Sequence, residues 1–301
     1  MLDTGRMSLV GSEISAISRV FSSAVVRELA SLGRSPLLAR LARQSGLIGR
    51  LERRARVRDF FEVAFDILRR RDNRHEYIYK SVLAQRILLG THSLRTASML
   101  TEFRAGNCKA DVVILNGTSV VYEIKSERDN LDRLRCQLAA YLTVFDRINV
   151  ITGRNHLAAL RASVPEQVGI LALSSDLRVS TIRPATSNMK HIQPKVLFES
   201  LRSNEARKIL ERCGHVVEPS PNTRARSLLK EEFDRLAPEQ VHQAFVEVLK
   251  ITRRSPSLEE AVHSVPVSLQ AMAVTIPLDA RGRARFTGAM DLPFEDALAW
   301  A

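Results

Sequence analysis

The spacing of apolar residues changes character three times along the chain. Through residues 1–75 they fall in short helix-length groups, broken at Gly33-Arg34-Ser35-Pro36 and at Gly46. EYIYKSVLAQRILL then sets Ile78, Val82, Leu83, Ile87 and Leu88 on one stripe and predicts a helix over about 76–89. From residue 99 the period shortens to that of strands. MLTEFRAGNCKADVVIL predicts two strands around Gly106-Asn107, and VILNGTSVVYEIK a second hairpin around Asn116-Gly117. Leu131, Leu134, Leu138, Leu142 and Phe145 return to helical spacing and predict a helix over about 130–146, capped by Asp129. RINVIT (147–152), VGILAL (168–173) and LRVSTI (177–182) predict further strands, with a helix from the cap Asn155 to about 163. Beyond Pro194 the pattern is helical at 203–213 after the cap Ser203, at about 223–235 and at 239–251, and the last fifty residues are weakly patterned.

This order of helix, meander, helix, strand, helix, strand predicts an α/β chain of α+β type. A mixed central sheet with a three-strand antiparallel meander is flanked by helices, with N- and C-terminal helical regions added. The expected division is an arginine-rich helical region at 1–75, a core at 76–190 and a C-terminal helical region at 191–301.

Charge interrupts the strand pattern at particular places. Asp111 opens one strand, and Glu123 and Lys125 close the next, both on one face because strand side chains alternate. Asp111 joins that face only if the intervening loop has an odd length, such as Leu115-Asn116-Gly117 with a left-handed Gly117. A two-residue turn at Gly106-Asn107 sets Glu102 opposite Asp111. Grouped carboxylates repel and raise one another's pKa, and a divalent cation is the usual remedy; hard oxygen ligands suit Mg²⁺ or Mn²⁺. The alternative is a cross-strand salt bridge at a sheet edge.

The composition adds a partner class. The chain has 301 residues, with 45 Lys+Arg against 33 Asp+Glu, a net charge of +12 and a pI near 10.2. Such a field favours polyanions, nucleic acid foremost. Residues 1–75 hold 15 Arg and no Lys against 8 Asp+Glu, over half of the excess. An arginine-rich helix can grip phosphate or simply face water. Cys108, Cys136 and Cys213 lack CxxC spacing, which argues against zinc or a disulfide framework and fits a reducing cytoplasm. No apolar run suggests a membrane span or a signal-peptide core, so the expected location is cytoplasmic.

Asp111, eleven intervening residues and Glu123-Ile124-Lys125 resemble the PD-(D/E)XK nuclease superfamily signature, here on a hairpin with a helix before it and a helix and strand after it. QLAAY, with Gln137 and Tyr141 one turn apart, resembles the Gln-x-x-x-Tyr element of several branches. The resemblance spans about residues 76–173, and LFESLRSNEARKIL (197–210) is similar to a stretch of small uncharacterised bacterial members. One departure is Ala110, where the motif has proline. The resemblance implies that Asp111, Glu123 and the carbonyl of Ile124 hold Mg²⁺, or Mn²⁺ in its place, with Glu76 from the first core helix as a further acid. Glu102 is a rival or an additional ligand. Lys125 would orient the attacking water, and Gln137 would contact the scissile phosphate or a water beside it.

Each residue also has a plainer reading. Glu76 suits a helix N-terminus, and Lys80 lies one turn beyond it at ion-pair spacing. Gln137 borders an apolar stripe, and Tyr141 fits the core. Arg128, Arg133 and Arg135 flank the site and would touch phosphates or face water; Lys80 joins them as a nucleic-acid contact. The leading expectation is a Mg²⁺-dependent nuclease acting on DNA. Its rivals are a non-catalytic nucleic-acid-binding or scaffold protein on the same fold and an RNA-directed nuclease of toxin or defence type. A homodimer or protein partner would use the terminal helical regions.

Overall fold

The computed structural model describes residues 9–90, 96–215, 222–253 and 258–300. Helices α1 (Gly11–Val20), α2 (Ser23–Leu32), α3 (Pro36–Gln44), α4 (Val57–Leu68) and α5 (Glu76–Val82) come first, and α5 runs on into a π-helical segment, Leu83–Leu89. There follow β1 (Ser98–Ala105), β2 (Cys108–Asn116), β3 (Thr118–Lys125), α6 (Leu134–Tyr141), β4 (Arg147–Thr152), α7 (Leu157–Ser163), β5 (Gly169–Leu173) and β6 (Val179–Arg183). The chain ends in α8 (Pro194–Glu199), α9 (Ser203–Arg212), α10 (Asn222–Asp234), α11 (Pro238–Thr252), α12 (Leu258–His263), α13 (Gln270–Thr275), α14 (Ala280–Met290) and α15 (Phe294–Leu298). The fold is α+β, as the pattern predicts. Among the described residues no helix is long and apolar enough to cross a membrane.

Two compact units divide the chain. Residues 1–81 and 257–301 form one, and residues 82–256 the other. The region expected as one C-terminal helical piece, 191–301, is therefore split between them. The weakly patterned last residues fold into short helices whose apolar groups join the N-terminal core. Phe60 stacks on Phe294 with centroids 4.7 Å apart, and Phe21 stacks on Tyr77 at 4.4 Å.

In the second unit, six strands form one mixed sheet in the order β1-β2-β3-β4-β5-β6. β1, β2 and β3 make the antiparallel meander, β3, β4 and β5 are parallel, and β6 returns antiparallel. One face is covered by α6, α8, α9, α10 and α11, whose Leu138, Phe198, Ile209, Phe233 and Phe245 meet Val113, Val121, Ile148 and Val150. The desolvation of this apolar face is the main stabilising term.

The β1–β2 hairpin does not alternate strictly. Phe103, Ala105, Cys108 and Ala110 lie in the same core as Leu100, Val113 and Leu115, although strict alternation would send the two groups to opposite faces. The phase changes at Glu102, whose backbone is left-handed (φ 53°), and facing pairs are formed on both sides of Glu102–Asp111 but not there. A non-glycine residue in that region carries roughly 1–3 kcal/mol of strain, a cost often found at functional sites.

Three local expectations need correction. The helix expected over 130–146 is only Leu134–Tyr141, and Asp129 does not cap it. Its carboxylate instead accepts from the Ser126 N–H and Oγ–H, both at 2.7 Å, and closes a turn just after β3. Asn155 likewise donates to the Glu127 carbonyl at 3.2 Å rather than capping α7. At α9 the residue before the helix is Arg202, not Ser203, and its N–H donates to Glu205 at 2.9 Å.

Candidate functional site

The turn chemistry decides which charges meet. Ala105 faces Cys108 across Gly106-Asn107, the two-residue turn that brings Glu102 and Asp111 to opposing positions. The next turn is odd, as a shared face demands, but it centres on Gly117 rather than on Asn116: Asn116 faces Thr118, and Gly117 is left-handed at φ 70°. The ladder continues to Val112–Tyr122, so Asp111 and Glu123 stand at directly facing register positions.

Glu123 and Lys125 are buried, at 1% and 7% exposure. Lys125 Nζ donates to Glu123 Oε1 at 2.8 Å and to Gln137 Oε1 at 2.9 Å. The other Glu123 oxygen accepts from the Tyr141 hydroxyl at 2.7 Å, and that hydroxyl also lies 2.8 Å from the Lys109 carbonyl. One helical turn separates Gln137 from Tyr141, so α6 delivers both side chains to one spot on β3. Burial first, and then the negative charge of Glu123, pushes the Tyr141 phenol far above its ordinary range, which keeps it a neutral donor. Burying such a pair is costly unless both members are hydrogen-bonded, and here each has two partners.

Asp111, half-buried, accepts from the Ile124 N–H at 2.7 Å. The N–H and C=O of one strand residue point to the same side, so the Ile124 carbonyl is directed toward the β2 side as well. Lys125 C=O points the other way, toward β4, where Thr152 Oγ1 donates to it at 2.7 Å. Glu102 is exposed, and it and Asp111 offer carboxylate oxygens within 4.8 Å of one another. The Glu102 and Asp111 carboxylates are hard oxygen donors of the kind that suits Mg²⁺ or Mn²⁺.

Glu76 opens α5 in the first unit and is ion-paired there with Lys80, the helix-surface pairing that their spacing allows. Arg128, Arg133 and Arg135 are exposed between β3 and the first turn of α6. The three cysteines are free thiols.

A family model covers residues 69–272, more than half of the chain and all of the second unit. The chain belongs to the Bacteriophage P4 protein cII family. Protein cII of Enterobacteria phage P4 is 28% identical over 85 residues, which are 28% of this chain and 32% of that relative. The chain thus spans about a third of that relative's length. A solved protein of unknown function from Silicibacter pomeroyi overlaps 47% of this chain and 94% of its own at 22% identity, with a TM-score of 0.31.

Two polar networks in this family member gave no sequence signal. Ser119 Oγ lies 2.8 Å from His242 Nε2 and accepts from the Asp146 N–H at 3.1 Å, all within the core. Burial pulls His242 down to about 4, against the opposing pull of Asp146. Its ring is neutral and sealed from substrate, so the group is structural despite its Ser-His-Asp composition. Buried Glu205 receives two hydrogen bonds from Arg253, each at 2.8 Å, which with Arg202 outweigh its desolvation and hold its carboxyl low. The same guanidinium lies 4.9 Å above the Phe103 ring. Residues so far apart in sequence carry no shared spacing to betray them.

Proposed function

We propose that the chain is a metal-dependent phosphodiesterase acting on nucleic acid, with DNA as the leading substrate. One observation carries this reading: a buried Lys–Glu pair is clasped by Gln137 and Tyr141 at the strand end where Asp111 engages the same backbone. A purely structural strand would place apolar side chains there, which are usually as stabilising or more so. The residue set also matches what the PD-(D/E)XK resemblance implies for this hairpin.

Asp111, Glu123 and Glu102, with the Ile124 carbonyl, would hold Mg²⁺, which supplies Lewis acidity to activate water and offset charge on the phosphate. Lys125 keeps its ammonium fixed by Glu123 and Gln137, ready to orient the attacking water and to stabilise negative charge at the reacting phosphate. Tyr141 fixes the Glu123 carboxylate. Arg128, Arg133 and Arg135 present cations to the flanking phosphates.

A second reading has its own support. Both Glu123 oxygens already have protein partners, the arrangement expected of a nucleic-acid-binding protein on this fold without turnover. Purified chain incubated with linear, circular and single-stranded DNA and with RNA, in Mg²⁺, Mn²⁺ or EDTA, separates the two. Asp111→Asn keeps an acceptor for the Ile124 N–H and is the cleanest variant. Cleavage that EDTA and Asp111→Asn both abolish upholds the phosphodiesterase. Binding without cleavage under every condition moves the reading to the non-catalytic alternative.

A further inference from the structure

The opposite face of the sheet carries a second feature. Tyr122 alternates with Val121 and Glu123, and Asn149 with Ile148 and Val150, so both point away from the α6 face. They line a cleft of about 900 Å³ whose charged lining residues are Arg86, Arg147 and Arg178, with no acid among them. Arg86 comes from the π-helical segment, Arg147 opens β4, and Arg178 precedes β6. All belong to the second unit.

The floor holds polar groups that the fold itself does not use. Tyr122 and Asn149 are neighbours across the parallel β3–β4 ladder, each 7% exposed. Neither side chain hydrogen-bonds to another described residue, and neither is among the buried unpaired polar atoms, so their polar ends open onto the cleft. Gly169 faces Asn149 across β4–β5, and a Cβ there would fall 2.2 Å from Asn149 Oδ1. The glycine is therefore what lets the carboxamide occupy this place. Leu171 and Val179 supply apolar surface beside it.

From the cleft we infer a nucleotide-binding site: phosphate on the arginines, and a base on the apolar floor with its edge read by Asn149 and the Tyr122 hydroxyl. Guanidinium forks match phosphate oxygens, a carboxamide offers both donor and acceptor to a base edge, and the volume falls in the range of small-ligand sites. The ligand is a free nucleotide or a nucleotide unit within a strand. The inference does not depend on the phosphodiesterase reading, because it lies on the other face and needs no chemistry.

The test is equilibrium binding to the full chain in EDTA, where no metal-dependent turnover occurs. Probes are ATP, GTP, AMP, inorganic pyrophosphate and a fluorescein-labelled eight-nucleotide DNA. Arg178→Glu removes a cation whose side chain bonds to no other described residue, and is expected to weaken the mononucleotides at least tenfold. Asn149→Ala is expected to weaken ATP, GTP and AMP while leaving pyrophosphate within twofold. Lys195→Met, at an exposed position on α8, which covers the opposite face, should leave all probes unchanged. An oligonucleotide that mononucleotides displace assigns the site to a strand; mononucleotide binding alone assigns it to a free nucleotide. No mononucleotide binding at millimolar concentration overturns the inference. So does binding that Arg133→Glu/Arg135→Glu abolishes and Arg178→Glu leaves intact, which would place the anion at the proposed phosphodiesterase site.

Discussion

Lys125→Met is the most informative single change, because it isolates what the buried pair contributes. The substitution keeps a long unbranched side chain but removes the ammonium from between Glu123 Oε1 and Gln137 Oε1. Glu123, at 1% exposure, is left with the Tyr141 hydroxyl as its one partner and no cation. Stranding a buried charge costs about 3–5 kcal/mol, a large part of the roughly 5–15 kcal/mol that holds a domain together. The double variant Glu123→Gln/Lys125→Met removes both charges and leaves a neutral amide for Tyr141, so it should recover most of that loss. Urea titrations of wild type, both single variants and the double variant at pH 7 form a complete cycle, and the coupling should reach at least about 2 kcal/mol. A Lys125→Met cost below about 1 kcal/mol, with additive singles, would mean that the pair is solvated like a surface ion pair. Its dryness would then be no mark of a functional site.

Other outcomes follow from the same geometry. Glu205→Ala should cost about 3–5 kcal/mol by stranding Arg253, and Arg253→Ala added to it should cost little more; denaturation midpoints of the three variants check this. His242 has a folded pKa of about 4 against an ordinary 6.5, so the unfolded chain takes up its proton first as pH falls. Its contribution is intact above about pH 6.5, is reduced by about 2 kcal/mol at pH 5 and is lost near pH 4. Wild type minus His242→Gln stability, measured across that window, should trace this curve, and a flat difference would refute the assignment. Gly117→Ala meets no atom within 4 Å, so its penalty is conformational alone, about 1–2 kcal/mol. A larger loss by thermal denaturation would point to a turn that rearranges.

Much of the sheet was legible because apolar period is a local property. The meander, RINVIT and VGILAL all reappear as strands, and the parity argument for Asp111 and Glu123 holds because turn length alone fixes register. What escaped reading depends on distant partners. Tyr141 looks like a core residue from its spacing, and only the placement of α6 over β3 gives its hydroxyl to Glu123. Asp129 has the composition of a cap, yet the nearby Ser126 N–H and Oγ–H compete for its carboxylate and win. Asn149 and Tyr122 sit within ordinary strand patterns, and their lack of partners appears only when every neighbour is in place. The last fifty residues were opaque because their short helices are stabilised by Phe60 and its neighbours, far away in sequence.

The left-handed turn of the chain at Glu102 has a bearing on how the hairpin finds its pairing. A regular antiparallel ladder tolerates a two-residue slip, since the same side chains still face the core. Here the change of phase must occur opposite Asp111, in both strands at once. A two-residue slip would set Glu102 against Lys109 or the buried Val113, and would put the two changes of phase out of step. The irregularity thus acts as a key that fits one alignment only, and it ties correct strand pairing to the meeting of the two acids.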